Sequence, residues 1–218
     1  MKPDLRQELI DFAKSKIGLD DTSHDFSHAE RVLKNVELIA KNEKADLEIL
    51  IPAALFHDII IYPKNDKRSK QASDESADFA RDILTSFEDY PKEKIPNVEY
   101  AIKTCSYSKN IKHETIEAKI LQDADSLEAT GAISIMRTFA STGQMKRAFY
   151  CENDPFCENR EPNSKKYGLD LFYNRLLIVK DRMYTETAKR IAKRRTKFLL
   201  TFLYELKLEL NEKQKPMQ

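Results

Sequence analysis

Apolar residues in this chain recur at intervals of three to four, and no segment sustains the alternation of apolar and polar residues that a half-buried strand requires. An interval of three to four matches one face of an α-helix. Only 4 of the 218 residues are glycine, so the chain is poor in the residue that most often interrupts helices. We therefore predict an all-α fold.

The helical pattern divides the chain into segments joined by polar turns. The predicted helices cover residues 3–17, 28–42, 47–60, 74–87, 96–105, 115–141, 167–182 and 184–212. Gly131 is expected to break the helix over 115–141, and residues 150–166 are expected to be irregular. Because composition does not shift along the chain, we predict one domain over 1–218. Its core covers about 23–182, and the helix over 184–212 packs back on it.

Charge, cysteine content and the length of apolar runs indicate which classes of protein this sequence does not favour. Lysine plus arginine number 37 against 36 acidic residues, a net charge of +1, which gives no support for nucleic-acid binding. The basic run Lys189–Leu199 fits the solvated face of an amphipathic helix. The N-terminus lacks the apolar stretch of a signal peptide, and no apolar run could span a bilayer. Three cysteines favour a reducing cytoplasm, and the spacing of Cys151 and Cys157 does not suit zinc.

Three segments bring ionisable residues toward the predicted interior. The apolar run "AALFHDI" ends with His57 and Asp58 side by side. His28 falls on the apolar face of its helix, and Asp125 falls on a face of alanine and leucine. Buried ionisable groups are costly unless they are paired or bind a metal.

Two imidazoles and two carboxylates suit a divalent metal ion with open positions for water or substrate. Each residue also has a simpler explanation. A single inward histidine is more often a hydrogen-bonded core residue, and a single inward aspartate often caps a turn or pairs with arginine. A purely structural metal site would require a closed coordination shell.

Five motifs occur in the order found in one known family. The segments "SHDFSHAERV", "AALFHDI", "DESADFA", "EAKILQDADSLEATGAISIMRTFA" and "TETAKRIAKRRTKFL" span about residues 23 to 205. They resemble the H…HD…D signature of the HD-domain metal-dependent phosphohydrolases. The resemblance is greatest to a bacterial branch that contains a nucleoside triphosphate pyrophosphohydrolase.

This resemblance implies an HD-domain helical bundle, with His28, His57, Asp58 and Asp125 as ligands of a divalent ion. Manganese or magnesium is the usual activator, and other transition metals fit the same ligands. The implied reaction is metal-assisted hydrolysis of a phosphate ester or anhydride in a small phosphorylated metabolite, with a nucleotide as the first candidate. The first candidate reaction is pyrophosphohydrolysis of nucleoside triphosphates. The alternatives are a nucleoside monophosphate phosphatase and a non-catalytic module that senses nucleotides.

Further residues are candidates for catalysis and substrate binding. Asp58 is a catalytic candidate, and Glu75 could orient water or act as base, although a glutamate in a first helical turn also complements the helix dipole. Four side chains are candidates for substrate binding. His24 could line the mouth of the site or cap the helix, and Arg31 could reach a phosphate or form an ion pair at the helix surface. Lys67 and Lys70 could bind a polyphosphate or belong to a solvated loop.

The chain also departs from the family pattern. Cys105 stands where the family often has histidine, and Glu128 and Ser134 replace the usual residues of the "LDALGAIGI" block. His113 falls in a loop and is predicted to lie on the surface. Aromatic and leucine residues near the C-terminus would face the core or a partner subunit, so a homodimer is compatible with the sequence. No nucleic-acid or membrane partner is expected.

Overall fold

The computed structural model describes residues 1–18, 25–62, 66–106, 109 and 111–211. These residues form helices and no strand, which confirms the all-α prediction. None of their helices has the length and apolarity needed to cross a membrane. The α-helices are α1 (Pro3–Lys16), α2 (Phe26–Glu43), α3 (Leu47–Phe56), α4 (Ala72–Ser86), α5 (Ile95–Cys105), α6 (Ile116–Ser126), α7 (Gly131–Gln144) and α8 (Glu186–Asn211).

The chain divides into two compact units. The first contains residues Met1–Glu128 and Met183–Lys189, and the second contains Ala129–Arg182 and Arg190–Gln218. The prediction of one domain with a returning C-terminal helix stays a prediction.

Helix α3 is the centre of the first unit. Its residues from Ile49 to Phe56 are all buried, and it contacts α1, α2, α4, α5 and α6. Asp46 caps its start by accepting a hydrogen bond from the backbone N–H of Glu48 at 2.8 Å. Pro52 lies inside the helix and is buried. A helix buried on all sides is held firmly by its neighbours, so residues at its end have defined positions.

Helix α3 is shorter than predicted. It ends at Phe56, whereas the apolar pattern placed the end near residue 60, so His57 and Asp58 lie in the turn that follows. The apolar run continues through Ile59 to Ile61, and a continuous apolar run does not mark where a helix stops. The difference matters for function, because a turn directs the two neighbouring side chains differently from a helix.

Two other predictions concern the second half of the chain. The predicted break at Gly131 is confirmed, because α6 ends at Ser126 and α7 begins at Gly131, whose φ of +70° is rare for other residues. The regular helix predicted over 167–182 is wrong. Residues Phe172–Leu176 form a π-helix and Val179–Arg182 a 3₁₀ helix. Apolar spacing does not distinguish these forms from an α-helix.

The second unit has an aromatic core and a buried ion pair. The rings of Phe172 and Phe202 stack with their centroids 5.7 Å apart, and Phe139 contacts both. Asp170 is fully buried and forms two hydrogen bonds with the guanidinium of Arg160. This pair anchors the segment over 150–166, which is irregular as predicted.

Candidate metal centre

Helix α2 supplies the first candidate ligand, His28. Asp25 caps the helix, and its side chain accepts a hydrogen bond from the backbone N–H of His28 at 3.0 Å. Val32 and Val36 follow on the same buried face, so His28 points inward and its side chain is only 2% exposed. The inward direction agrees with the helical periodicity of the sequence.

The turn after α3 supplies His57 and Asp58. Nδ1 of His57 lies 2.8 Å from the backbone carbonyl oxygen of Ala54, so this nitrogen carries the proton and donates a hydrogen bond to that oxygen. Nε2 therefore presents a lone pair. It is buried and has no hydrogen-bond partner among the described residues. Asp58, next in the chain, has a side chain 39% exposed.

Helix α6 supplies Asp125 near its C-terminal end. The side-chain amide of Asn35 donates to the carbonyl of Ala124 at 3.2 Å, which fixes this end of α6 against α2. Asp123 is held more firmly: its carboxylate accepts hydrogen bonds from the backbone N–H groups of Tyr184 and Thr185 at 2.9 and 2.8 Å. Asp125 directly follows these two anchored residues, and its side chain is 32% exposed.

The carboxylates of Asp58 and Asp125 each approach both imidazoles. Nε2 of His28 lies 3.7 Å from Asp58 Oδ2 and 3.6 Å from Asp125 Oδ1. Nε2 of His57 lies 3.6 Å and 3.9 Å from the same two oxygens. These separations exceed hydrogen-bond lengths. One ligand atom from each of His28, His57 and Asp125 fits within 4.8 Å of the others.

This arrangement fits a divalent ion. Ligand atoms bound at about 2.1 Å to one ion are about 3.0–4.2 Å apart, depending on the angle between them. The four measured nitrogen–oxygen distances fall in that range. Nε2 of His57 supports the same interpretation, because it is buried without a hydrogen-bond partner in the described ranges, and such a nitrogen is costly.

Glu128 is a site residue that the sequence showed only as a departure from the family pattern. Its side chain is 2% exposed, and Oε2 lies 3.3 Å from Nδ1 of His28 and 2.7 Å from Nε of Arg31. Burial raises the pKa of the Glu128 carboxyl, but the hydrogen bonds with His28 and Arg31 outweigh burial and lower it. The available signal was its position three residues after Asp125.

Glu75 occupies the first turn of α4. One carboxylate oxygen accepts a hydrogen bond from the hydroxyl of Tyr62 at 2.5 Å, and this bond is the main reason that the pKa of Tyr62 is raised. The neighbouring Ser76 hydroxyl accepts from the backbone N–H of Ile60 at 3.1 Å, two residues after Asp58. The start of α4 is therefore tied to the segment that carries two candidate ligands.

The other candidate substrate residues differ in position. Arg31 lies one turn after His28 on α2, with its side chain 28% exposed. Lys67 and Lys70 are exposed on the 3₁₀ helix Lys67–Lys70, and the structure does not bring them into the ligand cluster. His24 lies outside the described residues.

Two residues near the site need comment. Cys105 is buried, and burial, followed by the negative charges of Asp125 and Asp58, raises the pKa of its thiol well above the usual value. This departure from the family pattern therefore lies near the candidate ligands. The prediction that His113 is a surface residue is wrong. Its ring is 2% exposed, lies 2.5 Å from Gln122 Oε1 and packs edge-on against Tyr184.

Comparison with known proteins identifies the family. The family model described as "HD domain" matches residues 25–130, a range that contains all four candidate ligands. The Lin1889 protein of Listeria innocua, whose crystal structure is known, is 31% identical to this chain. The match covers 98% of this chain and 100% of that protein, with a TM-score of 0.73. The chain belongs to the HD superfamily. Its all-α fold is the HD-domain fold, and an HD domain implies a divalent-metal site.

Two other relatives have solved structures. YpgQ of Bacillus subtilis, an uncharacterized protein, is 29% identical over 208 residues, which are 94% of this chain and 93% of YpgQ. Its structure in complex with ADP matches with a TM-score of 0.73 and 27% identity, over 94% of this chain and 98% of that one. An HD-superfamily hydrolase from Bacillus thuringiensis is 29% identical with a TM-score of 0.72, over 98% of this chain and 100% of that one.

Proposed function

We propose that this protein is a metal-dependent phosphohydrolase that acts on nucleotides, with pyrophosphohydrolysis of nucleoside triphosphates as the first candidate reaction. The observation that carries the proposal is that His28, His57 and Asp125 each place a ligand atom within 4.8 Å of the others, and that Asp58 Oδ2 lies 3.7 Å and 3.6 Å from the two imidazoles. His28, His57, Asp58 and Asp125 would hold that ion, with manganese or magnesium proposed. Such an ion, when bound, polarises phosphoryl oxygens and activates water.

The exposure of the ligands supports an open site. The two imidazoles are almost completely buried, whereas Asp58 and Asp125 are 39% and 32% exposed. His28, His57 and Asp58 also line a small pocket. Solvent and substrate could therefore approach from the carboxylate side, whereas a structural metal site would have a closed shell.

Arg31 is proposed to bind a phosphate group of the substrate. Its Nε is held by Glu128, and among the described residues no hydrogen-bond partner contacts Nη1 or Nη2. A guanidinium fixed at one edge and open at the other is suited to bidentate binding of phosphate. The basic side chains of Lys67 and Lys70 would approach the distal phosphates of a bound polyphosphate, and His24 is proposed to line the mouth of the site.

Glu75 and Asp58 are the proposed groups for handling the proton of the attacking water. Glu75 uses one oxygen to accept from Tyr62, and the second oxygen could orient water. Attack of water on phosphorus forms a new P–O bond while the bond between phosphorus and the oxygen of the departing pyrophosphate or nucleoside monophosphate breaks. The proton released from water passes to a carboxylate.

We propose a nucleotide as the substrate class because the related YpgQ has been crystallised with ADP. The adenine and diphosphate of that ligand were observed in the YpgQ structure. They give the present chain a substrate class to test first, together with its 29% identity to YpgQ over nearly the full length.

The test is product analysis with a panel of nucleoside mono-, di- and triphosphates. Metal-stripped protein is assayed before and after addition of Mn²⁺, beside Asp58→Ala and, as a matched control, Asp181→Ala on the exposed 3₁₀ helix. We expect pyrophosphate from triphosphates, dependent on Mn²⁺, lost in Asp58→Ala and retained in Asp181→Ala.

The other outcomes discriminate between the alternatives. Orthophosphate from monophosphates would identify a nucleotidase. Nucleotide binding without turnover under any divalent ion would identify a sensing module. Unchanged metal content and hydrolysis in Asp58→Ala would refute the proposed site.

A further inference from the structure

One oxygen of Glu128 serves two side chains. Oε2 lies 3.3 Å from Nδ1 of His28 and 2.7 Å from Nε of Arg31. His28 and Arg31 are one turn apart on α2 and therefore share a face, and Glu128 reaches them from the 3₁₀ helix Leu127–Ala129. A carboxylate that is only 2% exposed is expensive to bury unless it is fully paired, so this position is defined by its partners.

The contact with His28 determines which ring nitrogen can bind a metal. A carboxylate oxygen accepts hydrogen bonds, so the Glu128 oxygen favours a proton on Nδ1. The lone pair is then on Nε2, the nitrogen that lies 3.7 Å and 3.6 Å from the carboxylates of Asp58 and Asp125. Without Glu128, those two carboxylates would favour a proton on Nε2, and that proton would block the metal.

The two imidazoles are thus oriented by different means. His57 donates from Nδ1 to a backbone carbonyl, that of Ala54, which no side-chain substitution at that residue removes. His28 depends on the side chain of Glu128. Substitution at a single residue can therefore test the orientation of one ligand while the other is left unchanged.

We infer that Glu128 is a positioning residue, whose carboxylate sets the tautomer of His28 for metal binding and at the same time fixes the guanidinium of Arg31. The inference rests on the proposed function, because it takes His28 as a metal ligand. It adds a residue outside the four-ligand set and makes metal affinity depend on an oxygen that does not touch the ion. Mutation of a carboxylate that orients a ligand histidine commonly lowers metal affinity by about 10- to 100-fold.

The experiment compares Glu128→Gln with Glu30→Gln. The first change keeps the size of the side chain and removes its charge. The second makes the same change on an exposed residue of α2. Mn²⁺ is titrated into each metal-free protein by isothermal calorimetry. We expect Glu128→Gln to weaken Mn²⁺ binding by about tenfold or more, and Glu30→Gln to stay within about twofold of the parent.

A spectroscopic measurement separates positioning from general damage. The chain has 4 histidines, so their ¹⁵N-detected side-chain resonances can be assigned by single substitutions. In the Mg²⁺-saturated parent, the Nδ1 proton of His28 should be shifted downfield and protected from exchange with water. The shift should decrease in Glu128→Gln and disappear in Glu128→Ala, while the His57 signal stays unchanged in any variant that folds.

Two results would overturn the inference. One is Mn²⁺ affinity in Glu128→Gln within about twofold of the parent. The other is a His28 Nδ1 proton signal that is unaffected by loss of the carboxylate. If the parent protein itself binds no Mn²⁺, the proposed function fails first, and this outcome is distinct from normal binding by both parent and variant.

Discussion

Asp170→Asn is a sharp test of the electrostatics of the second unit. The substitution preserves the size of the side chain and removes its charge. In the native protein Asp170 is fully buried, receives two hydrogen bonds from Arg160, and accepts a third from the backbone N–H of Asn163 at 2.6 Å. These bonds hold the segment over 150–166 in place.

The expected loss of stability follows from these contacts. Asparagine offers one acceptor oxygen in place of two, and its NH₂ group is a donor that faces the donors of Arg160. Breaking a buried ion pair by removing one partner costs about 3–5 kcal/mol. Because the side chain of Arg160 is 22% exposed and can regain some water, we expect the lower end, about 3 kcal/mol.

The effect should depend on pH with a defined sign. Burial raises the pKa of the Asp170 carboxyl, but hydrogen bonds from Arg160 and Asn163 outweigh it and hold the pKa below the usual value of 3.8. A carboxyl with a lower pKa in the folded state stabilises the fold above its unfolded pKa. It loses that contribution as the pH falls through the folded pKa. The difference between parent and variant should therefore be constant near neutral pH and shrink below about pH 4.

Urea unfolding followed by far-UV circular dichroism, repeated across this pH range, measures the difference. Asp181→Asn, on an exposed residue paired with Lys180, provides the matched control and should change stability by less than about 0.5 kcal/mol. A loss below about 1 kcal/mol for Asp170→Asn, or one that persists undiminished in acid, would contradict the reasoning.

Three further predictions concern the site and the packing. Arg31→Lys should raise KM for a phosphorylated substrate about tenfold with little change in kcat. The reason is that an ammonium group cannot replace the two-pronged guanidinium that Glu128 holds. An unchanged KM would exclude Arg31 from phosphate binding. Removal of divalent ions with a chelator should lower the melting temperature, and Mn²⁺ at a hundred times its Kd should restore about 2.7 kcal/mol; calorimetry that shows no shift would argue against the metal site. Gly168→Ala should destabilise the protein by about 1–3 kcal/mol, because the new Cβ would lie 2.9 Å from Cγ2 of Thr142. As the control, Gly143→Ala places its Cβ where no neighbouring atom lies within 4 Å, so it should be neutral or stabilising in the same urea experiment.

The sequence was informative where a local pattern has one physical meaning. Helical spacing placed His28 on the buried face of α2 and predicted the all-α fold. Gly131 predicted a helix break because few residues other than glycine accept a φ of +70°. The sequence was misleading where several structures share one pattern. Leu169, Phe172, Leu176 and Val179 keep helical spacing and are buried, yet the backbone forms π and 3₁₀ turns.

Contacts between distant segments were not predictable in the same way. The bonds from His28 and Arg31 to Glu128 span about a hundred residues, and a Glu in place of a family residue gave no sign of its role. His113 is buried because Gln122 and Tyr184, from two other segments, enclose it. Its place in a predicted loop had suggested the surface.

The sequence by itself determined the helical periodicity, the identity of four candidate ligands and, through its ordered motifs, the HD superfamily. These properties depend on residue type and spacing along the chain, which are local. Only the tertiary structure decided that each imidazole Nε2 lies 3.6–3.9 Å from an oxygen of Asp58 and of Asp125, and that one oxygen of Glu128 serves both His28 and Arg31. It also decided that Nε2 of His57 is buried with no hydrogen-bond partner in the part of the chain that the structure describes. Such distances are fixed by how α2, α3 and α6 pack against one another, and packing depends on the whole set of buried side chains at once.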